Sequence, residues 1–424
     1  MPWGAVLAVC MLLVGGAAVM ASQSIALAAD GAFQLVRVLG TEDVYGLDAR
    51  ILGAWAHQGA VVVAVRAGVT DTQLLAVLLG VGQLVLPAIA WSLAIVESRA
   101  DRLVCAAVAM IAVLNAGGAW FVNVSEIVLA VSLTSLVAVL LWRPSAWRWR
   151  DVALASTASI VLVASYETAL LTGAVLAVWA AWRLARSQAG VERFGCAIVA
   201  ALGLLSLVVA VAGTRSGANP THSQSFLYYV VSFEPWPFYV GLAGAAAVIA
   251  ACGLRIGSAA RHVTLGLGCG LLIVALAGFE PSVVSAFQAR GGAAVSALLL
   301  ELFLWWRWIS PTSGGRQTSA ALTVVPLAFA IAMVAVNVEP VTRWSRSLDA
   351  FRAAVLETEG QADVSDALPR DERAVVWGWT ASSLSLLLRS DPNDGILVDG
   401  NPSYVPFPPS QAREQLSDEY RWNR

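Results

Sequence analysis

The sequence predicts an all-α polytopic membrane protein with about eleven transmembrane helices. Three observations favour this class. Apolar runs recur along the chain, and most are long enough to approach the roughly 30 Å of a bilayer core. Only 13% of the 424 residues are charged, about half the share usual in soluble domains. Arginines cluster in the short segments between the runs, as they do in cytoplasmic loops.

The predicted spans follow the apolar runs, and the first is expected to be retained in the mature chain. Residues 26–29 mimic a signal-peptidase site, but residues 1–4 carry no positively charged side chain, as a signal peptide would. The predicted spans are 3–29, 73–96, 103–119, 127–142, 152–165, 169–182, 195–213, 237–253, 262–279, 292–306 and 318–336.

Five arginine clusters predict the orientation of the spans. If all five are cytoplasmic, every region between them returns to the same side, so the N-terminus is inside and the C-terminus outside. Glu301 lies near one such cluster, and we expect it to be paired or to reach the membrane surface. The clusters are Arg99/Arg102, Arg143/Arg148/Arg150, Arg183/Arg186/Arg193, Arg255/Arg261 and Arg307/Arg316.

The chain divides into a transmembrane domain, residues 1–336, and a polar segment, residues 337–424. Within the second, the pattern predicts a helix at 348–356, a strand at 374–379, a helix at 382–389 and a strand at 395–399. This order indicates a small α/β domain on the outer, periplasmic side, long enough for a modest core.

Composition and motifs exclude several functions. The net charge of −2 provides no basic field for nucleic acid. All five cysteines lie in apolar runs, which argues against a disulfide framework or a CxxC metal site. Every cationic residue is arginine, which we interpret as the codon bias of a GC-rich bacterium, and so we expect a location in the bacterial inner membrane. Phosphate-loop, zinc-protease and dinucleotide motifs are absent from the sequence.

The first outer loop, residues 30–72, is the best candidate for a working site. It predicts two interfacial helices, with Arg37 on a polar face of the first, and with Arg50 and His57 on the polar face of the second. A guanidinium at the headgroup level suits a phosphate group, although solvated arginines have the same pattern. The predicted apolar faces are Ala32/Leu35/Val36/Leu39 and Ile51/Leu52/Trp55/Ala56.

Three acids are expected on the outer side. Asp30 precedes the first interfacial helix, where it could cap that helix or act as a general base. Glu126 and Glu167 occupy the outer ends of adjacent hairpins, where helix dipoles also favour acids. Three converging carboxylates could bind a divalent cation or divide acid and base roles. Arg290, at the end of another outer loop, could meet an anionic headgroup.

This layout resembles the GT-C superfamily of membrane glycosyltransferases, which use sugars linked to polyprenyl phosphate. The resemblance lies in an N-in first span, a long first outer loop with an acid near its start, short spans and an outer C-terminal domain. It implies that Asp30 is the catalytic acid, although Gly31 follows where the family often has a second acid. Trp377-Gly-Trp-Thr380 is also similar to the tails of uncharacterised bacterial membrane proteins with this layout.

The expected function is therefore transfer of a sugar from a polyprenyl-phosphate carrier to a lipid or cell-envelope glycan acceptor. Asp30, Glu126 and Glu167 are the expected catalytic residues, and together they could bind a divalent cation. Arg37, Arg50, His57 and Arg290 are expected to bind the carrier phosphate. The alternatives are a transporter or flippase for a lipid-linked or anionic solute, and a non-catalytic membrane assembly subunit.

Overall fold

The structure is a computed structural model, and its described part is predominantly helical. It describes residues 1–28, 30–46, 50–119, 126–165, 168–215, 236–254, 257–278, 283–310, 320–369, 380–391, 393–398, 416 and 419–422. Eight of the described helices are long and apolar enough to cross a membrane. This finding supports an all-α membrane protein with several spans.

The helices follow the predicted order along the chain. The first group is α1 (Trp3–Ser22), α2 (Gly31–Thr41), α3 (Ile51–Arg66), α4 (Thr72–Ser98), α5 (Arg102–Ala119), α6 (Glu126–Trp142) and α7 (Trp149–Val163). The second is α8 (Ala169–Arg186), α9 (Gly190–Arg215), α10 (Trp236–Gly253), α11 (Ser258–Gly278), α12 (Val283–Ile309) and α13 (Ala321–Glu357).

Each predicted span coincides with one of these helices. The first helix ends at Ser22 rather than at residue 29, because Ser24 has a left-handed backbone with φ of 55° and a short 3-10 turn follows. Three predicted spans form α5, α6 and α7, which have at most 18 residues each. The two helices predicted between residues 30 and 72 are present as α2 and α3, while their place at the membrane interface stays a prediction.

Glycine pairs bring two helical hairpins into close contact. A Cβ atom added to Gly244 of α10 would lie 2.9 Å from the carbonyl oxygen of Gly268 in α11, and the reverse distance is the same. Gly173 of α8 and Gly203 of α9 face each other in the same way, at 3.1 Å. Small residues allow this approach, and the resulting van der Waals packing holds helices together in a membrane.

Ion pairs gather the helix ends on one side of the bundle, which we call the ion-pair end. The guanidinium of Arg143, after α6, binds Glu97 of α4 at 2.5 Å and Asp151 of α7 at 2.6 Å. Arg307 of α12 binds Asp101, just before α5, at 2.8 Å. The N-terminus lies at the same end, because the guanidinium carbon of Arg99 is 4.6 Å from the ring centre of Trp3. With Arg183, four of the five predicted arginine clusters contribute to this end.

Arg183 links three helices at the ion-pair end. Its Nε donates to Glu192 of α9 at 2.6 Å. Its Nη1 donates to the carbonyl oxygens of Leu140, Leu141 and Arg143, which belong to the last turn of α6 and the residue that follows it. These carbonyls have no intrahelical partner of their own, so Arg183 caps α6 while it joins α8 to α9.

Glu301 differs from the prediction. It is fully buried in α12, and neither carboxylate oxygen has a hydrogen-bond partner among the described residues. It is therefore neither paired there nor at the membrane surface. One turn further along α12, Trp305 stacks on Trp179 of α8, with ring centres 6.4 Å apart, so the helix interface encloses this part of α12.

The C-terminal elements lie at the opposite end of the bundle. Residues 318–336 and 348–356, predicted as separate helices, belong to the single helix α13, whose Trp344 Nε1 donates to the carbonyl oxygen of Gln23 after α1. Two strands, Gln361–Asp363 (β1) and Ile396–Val398 (β2), pair in parallel. The short helices are Val364–Ala367 (α14) and Ala381–Leu388 (α15).

These elements agree in part with the predicted tail. The observed α15 and β2 match the helix expected at 382–389 and the strand expected at 395–399. The strand predicted at 374–379 lies outside the described residues, and β2 pairs with a segment that the pattern did not identify. Thr72, at the start of α4, donates its hydroxyl to Leu387 of α15 at 2.7 Å, so the tail contacts the first outer loop.

Loss of Arg183 should destabilise the bundle much more than loss of an exposed ion pair. We expect Arg183→Leu to cost about 3 to 5 kcal/mol, because it leaves the Glu192 carboxylate buried without a partner. Arg343→Ala is the matched control, since its pair with Glu339 is exposed and contributes at most about 0.5 kcal/mol. Thermal unfolding in detergent measures both, and equal melting temperatures for the two variants would contradict the capping role.

Candidate functional site

The two helices of the first outer loop differ in how well the sequence predicted them. In α2 the predicted apolar face is correct, since Ala32, Leu35, Val36 and Leu39 are all buried. In α3 the predicted faces are wrong: Trp55 is 41% exposed, whereas His57 is 1% exposed. The physical reason is that α3 packs against α4, α6 and α7, and small or apolar residues lie on all of its sides.

The first turn of α3 docks directly onto the transmembrane bundle. The backbone amides of Leu52 and Gly53 donate to the carbonyl oxygen of Ala164, after α7, at 3.0 and 3.1 Å. A Cβ atom on Gly53 would lie 3.1 Å from the Cα of Ser165 and 3.2 Å from the Cβ of Glu126. The glycine therefore lets α3 approach the start of α6. Glu167, the third predicted acid, lies outside the described residues.

Asp30 occupies the expected position at the start of α2, but it does not cap the helix. Its backbone is helical, with φ of −69° and ψ of −14°, and its side chain accepts no capping hydrogen bond. Capping residues need an extended backbone to aim their oxygen at the free amides. The Oδ1 atom of Asp30 is instead buried and without a hydrogen-bond partner in the described part of the chain, so the capping prediction is wrong.

Charged residues from three other segments act on Asp30. Burial raises the pKa of Asp30 to about 6, because desolvation disfavours the carboxylate. The guanidinium of Arg290 opposes this shift, the carboxylate of Glu126 adds to it, and the guanidinium of Arg50 opposes it. The structure thus brings together four predicted site residues that are up to 260 positions apart in the sequence, and we call Asp30, Arg50, Glu126 and Arg290 the Asp30 group.

His57 belongs to the same neighbourhood. It lies one turn after Gly53, on the face of α3 that approaches Glu126. Burial lowers the pKa of His57 to about 4, and the Glu126 carboxylate opposes the shift. The imidazole is therefore neutral at pH 7. A neutral ring adds no positive charge to the site but can still donate one hydrogen bond to a phosphate, so the role of His57 in binding the carrier phosphate stays a prediction.

Arg37 is not among the charges that act on Asp30. Its guanidinium carbon lies 5.4 Å from the ring centre of Tyr45 and 5.9 Å from that of Phe33. Such cation–π contacts hold an arginine against an aromatic surface. The described contacts therefore place Arg37 against Phe33 of α2 and Tyr45 of the segment that follows it.

Sequence reasoning missed a pair of buried amides beside this group. Gln83 of α4 donates its Nε2 to Oε1 of Gln34 in α2 at 2.9 Å, and both side chains are buried. Gln83 belongs to a π-helical turn, Val81–Val85, of a kind often found at functional sites. A Cβ atom on Gly82 in that turn would lie 2.0 Å from the carbonyl oxygen of His57. The sequence did offer one signal for this site, because Gln83 is a polar residue inside the predicted span 73–96.

The predicted cation has no complete ligand set in the described part of the chain. Among those residues, no three His, Cys, Asp or Glu side chains lie close enough together to hold one metal ion. Asp30 and Glu126 alone are two carboxylates, and the arginines beside them already supply positive charge. The arrangement favours chemistry based on one buried acid and two guanidinium groups.

Comparison of the chain with protein-family models, with curated proteins and with solved structures finds no match.

The approach of α4 to α3 should depend on Gly82. We expect Gly82→Ala to lower the melting temperature, because its Cβ would overlap the backbone of His57, and backbone cannot move aside as a flexible side chain can. Gly15→Ala, in α1, is the control: no atom lies within 4 Å of its Cβ position, so alanine should be neutral or stabilising. Differential scanning fluorimetry of both variants checks this, and an unchanged Gly82→Ala would contradict the close packing.

Proposed function

We propose that this protein is a GT-C-like glycosyltransferase of the bacterial inner membrane. It would transfer a sugar from a polyprenyl-phosphate carrier to a lipid or cell-envelope glycan acceptor on the outer face. The observation that supports this proposal is the half-buried carboxylate of Asp30, whose Oδ1 atom is buried and which is under the electrostatic influence of Arg290 and Arg50. Transfer from a phosphate carrier needs this combination of one base and fixed cations.

Asp30 has the properties of a general base. Its pKa of about 6 leaves it mostly ionised at pH 7, yet makes it a stronger base than an exposed aspartate, whose pKa is about 3.9. General bases work best when their pKa is close to the operating pH. Its buried Oδ1 atom has no hydrogen-bond partner among the described residues, so it is free to accept the proton of an acceptor hydroxyl.

The two arginines suit the carrier phosphate. A guanidinium binds phosphate oxygens with two parallel hydrogen bonds, and it stabilises the negative charge that grows on the phosphate as the sugar leaves. Arg290 is buried in α12, where low polarity strengthens such an interaction. Glu126 adjusts the pKa of Asp30 in this proposal, and a divalent cation is not required by it.

The location of the group agrees with an outer-face enzyme. The Asp30 group lies at the end of the bundle that holds Gln23 and the start of α4, whereas the N-terminal Trp3 contacts Arg99 at the ion-pair end. If arginine-rich ends face the cytoplasm, the N-terminus is inside and the Asp30 group faces outward. Eleven spans and an outer C-terminal domain are part of this proposal.

A transporter is the weaker candidate. Transporters usually bind their substrate near the bilayer midplane, between repeats with broken helices. The acid and the arginines here cluster at one end of the bundle, next to helices that lie outside the predicted spans. A non-catalytic assembly subunit would keep its function without Asp30, so the Asp30→Asn variant distinguishes it from an enzyme.

Asp30→Asn should abolish transfer without weakening the fold. Loss of a general base costs roughly 10²- to 10⁴-fold in rate. Because the folded pKa is raised, the stability that protonated Asp30 contributes is present at low pH and lost as pH rises through about 6. The neutral Asn keeps the uncharged state, so the variant should melt at a temperature equal to or above wild type at pH 7.

The test uses the full chain in lipid nanodiscs, with radiolabelled polyprenyl-phosphate hexoses as donors and envelope extract from the host bacterium as acceptor. Exposed Asp366 provides the control variant Asp366→Asn, which should change neither transfer nor melting. Full transfer by Asp30→Asn would refute the catalytic role and favour the assembly subunit.

The pH dependence of transfer should report the charges around Asp30. We expect the rate at saturating substrate to fall below pH 6, as the base becomes protonated. Glu126→Gln removes a carboxylate that raises this pKa, so its acid limb should move to lower pH by about one unit or less. Arg290→Gln removes a cation that lowers the pKa of Asp30. The acid limb of any residual activity should therefore move to higher pH. Identical limbs in wild type and both variants would rule out Asp30 as the titrating group.

A further inference from the structure

Three buried polar side chains lie on neighbouring helices near Asp30, and we call them the amide–imidazole cluster: Gln34, Gln83 and His57. Gln83 and Gln34 are joined by the 2.9 Å hydrogen bond between their amides. The π-helical turn that carries Gln83 packs through Gly82 against the backbone of His57. Three separate elements, α2, α3 and α4, therefore contribute one side chain each.

Two atoms of the cluster have unused hydrogen-bonding capacity. Oε1 of Gln83 and Nε2 of His57 are both inaccessible to solvent and have no partner among the described residues. The two side chains are each 1% exposed. Folded proteins rarely bury such atoms unpaired, because each one costs free energy. Unused buried polar atoms next to a catalytic group indicate a position where a ligand supplies the missing hydrogen bonds.

The cluster is continuous with the proposed catalytic group. Gln34 lies one turn after Asp30 in α2, and its backbone amide donates to the Asp30 carbonyl oxygen at 2.9 Å. His57 lies one turn after Gly53, which abuts Glu126, and the Glu126 carboxylate acts on the imidazole. Gln34 and His57 are thus linked to the Asp30 group by one helical turn of α2 and by the Glu126 charge, respectively.

The chemistry of the cluster selects hydroxyl groups. An amide oxygen accepts a hydrogen bond, an amide nitrogen donates one, and a neutral imidazole does both. A hydroxyl group also does both, so it can pair with each of them. None of the three side chains carries a charge at neutral pH. A phosphate or an ammonium group would find no opposite charge in this cluster.

We propose that the amide–imidazole cluster binds ring hydroxyls of the acceptor, and that the acceptor is therefore a carbohydrate rather than a lipid alcohol. This inference rests on the proposed transferase function. An acceptor hydroxyl oxygen held beside Asp30 forms the new bond to the anomeric carbon, and its proton passes to the Asp30 carboxylate. The bond from the anomeric carbon to the carrier phosphate breaks, and polyprenyl phosphate leaves with the electron pair.

The experiment measures carbohydrate binding apart from transfer. Full-length protein in phosphatidylcholine nanodiscs is mixed with methyl α-D-mannopyranoside, methyl β-D-glucopyranoside or methyl β-D-galactopyranoside, and with 1-butanol as the lipid-alcohol control. Saturation-transfer NMR should detect contact with ring protons of at least one glycoside. Gln83→Leu and His57→Leu should each weaken that signal about three- to tenfold, as the loss of one hydrogen bond implies.

Conservative and distant variants separate recognition from folding. His57→Gln keeps a donor and an acceptor, so it should retain most of the binding that His57→Leu loses. Gln73→Leu, which changes another amide of α4, should bind as wild type does. In transfer assays, Gln83→Leu and His57→Leu should raise the KM for the extract acceptor and leave the KM for the donor unchanged. Melting temperatures of all variants establish that each is folded.

The outcomes distinguish this inference from the proposed function. If wild type contacts no glycoside while transfer still depends on Asp30, the acceptor is not recognised as a carbohydrate and the inference is overturned. Undiminished binding by both leucine variants overturns it as well. If glycosides bind through Gln83 and His57 but Asp30→Asn transfers normally, the carbohydrate site stands and the transferase proposal fails.

Discussion

The need to satisfy polar groups inside an apolar helix bundle governs this structure. Water does not reach the interior, so a buried charge needs a partner or costs free energy. At the ion-pair end Arg143, Arg183 and Arg307 each bind an acid and hold neighbouring helix ends together, although Glu301 of α12 is buried with no hydrogen-bond partner among the described residues. At the other end Oδ1 of Asp30 is buried and has no hydrogen-bond partner in the described part of the chain. The ion pairs therefore stabilise one end of the molecule, and the proposed reactive groups lie at the other.

The docking of α3 connects the first outer loop to the bundle. Its first amides bind the carbonyl oxygen of Ala164, and Gly53 allows the backbone after α7 to come close. The same contact carries Arg50 toward Asp30 and His57 toward Glu126. Residues 50–66 are thereby fixed against α4, α6 and α7, and their charges have defined neighbours. A site built in this way is held by backbone contacts. Their geometry varies less than that of contacts between long side chains.

Much of the fold and part of the site could be predicted from the sequence. Hydrophobic runs located the helices, because a membrane-spanning helix must be apolar along its whole length. Asp30, Glu126 and Arg290 were chosen as charged residues near the ends of such runs and Arg50 as part of the polar face of α3, and the charges of the last three act on Asp30. The faces of α3 were not predictable, because Gly53, Ala54 and Val61 surround His57 with small and apolar positions. The π-helical turn at Gln83 has no periodic pattern in the amino-acid sequence.

The sequence by itself determined the helical class, the order of the helices and the set of charged residues available at their ends. These properties depend on composition and spacing, which act locally along the chain. Only the tertiary structure decided which residues meet: that Asp30 does not cap α2, that His57 is buried and neutral, and that Gln34 and Gln83 lie beside the acid. Those outcomes depend on contacts between segments far apart in the chain, and on glycines that let backbones approach, which no local pattern encodes.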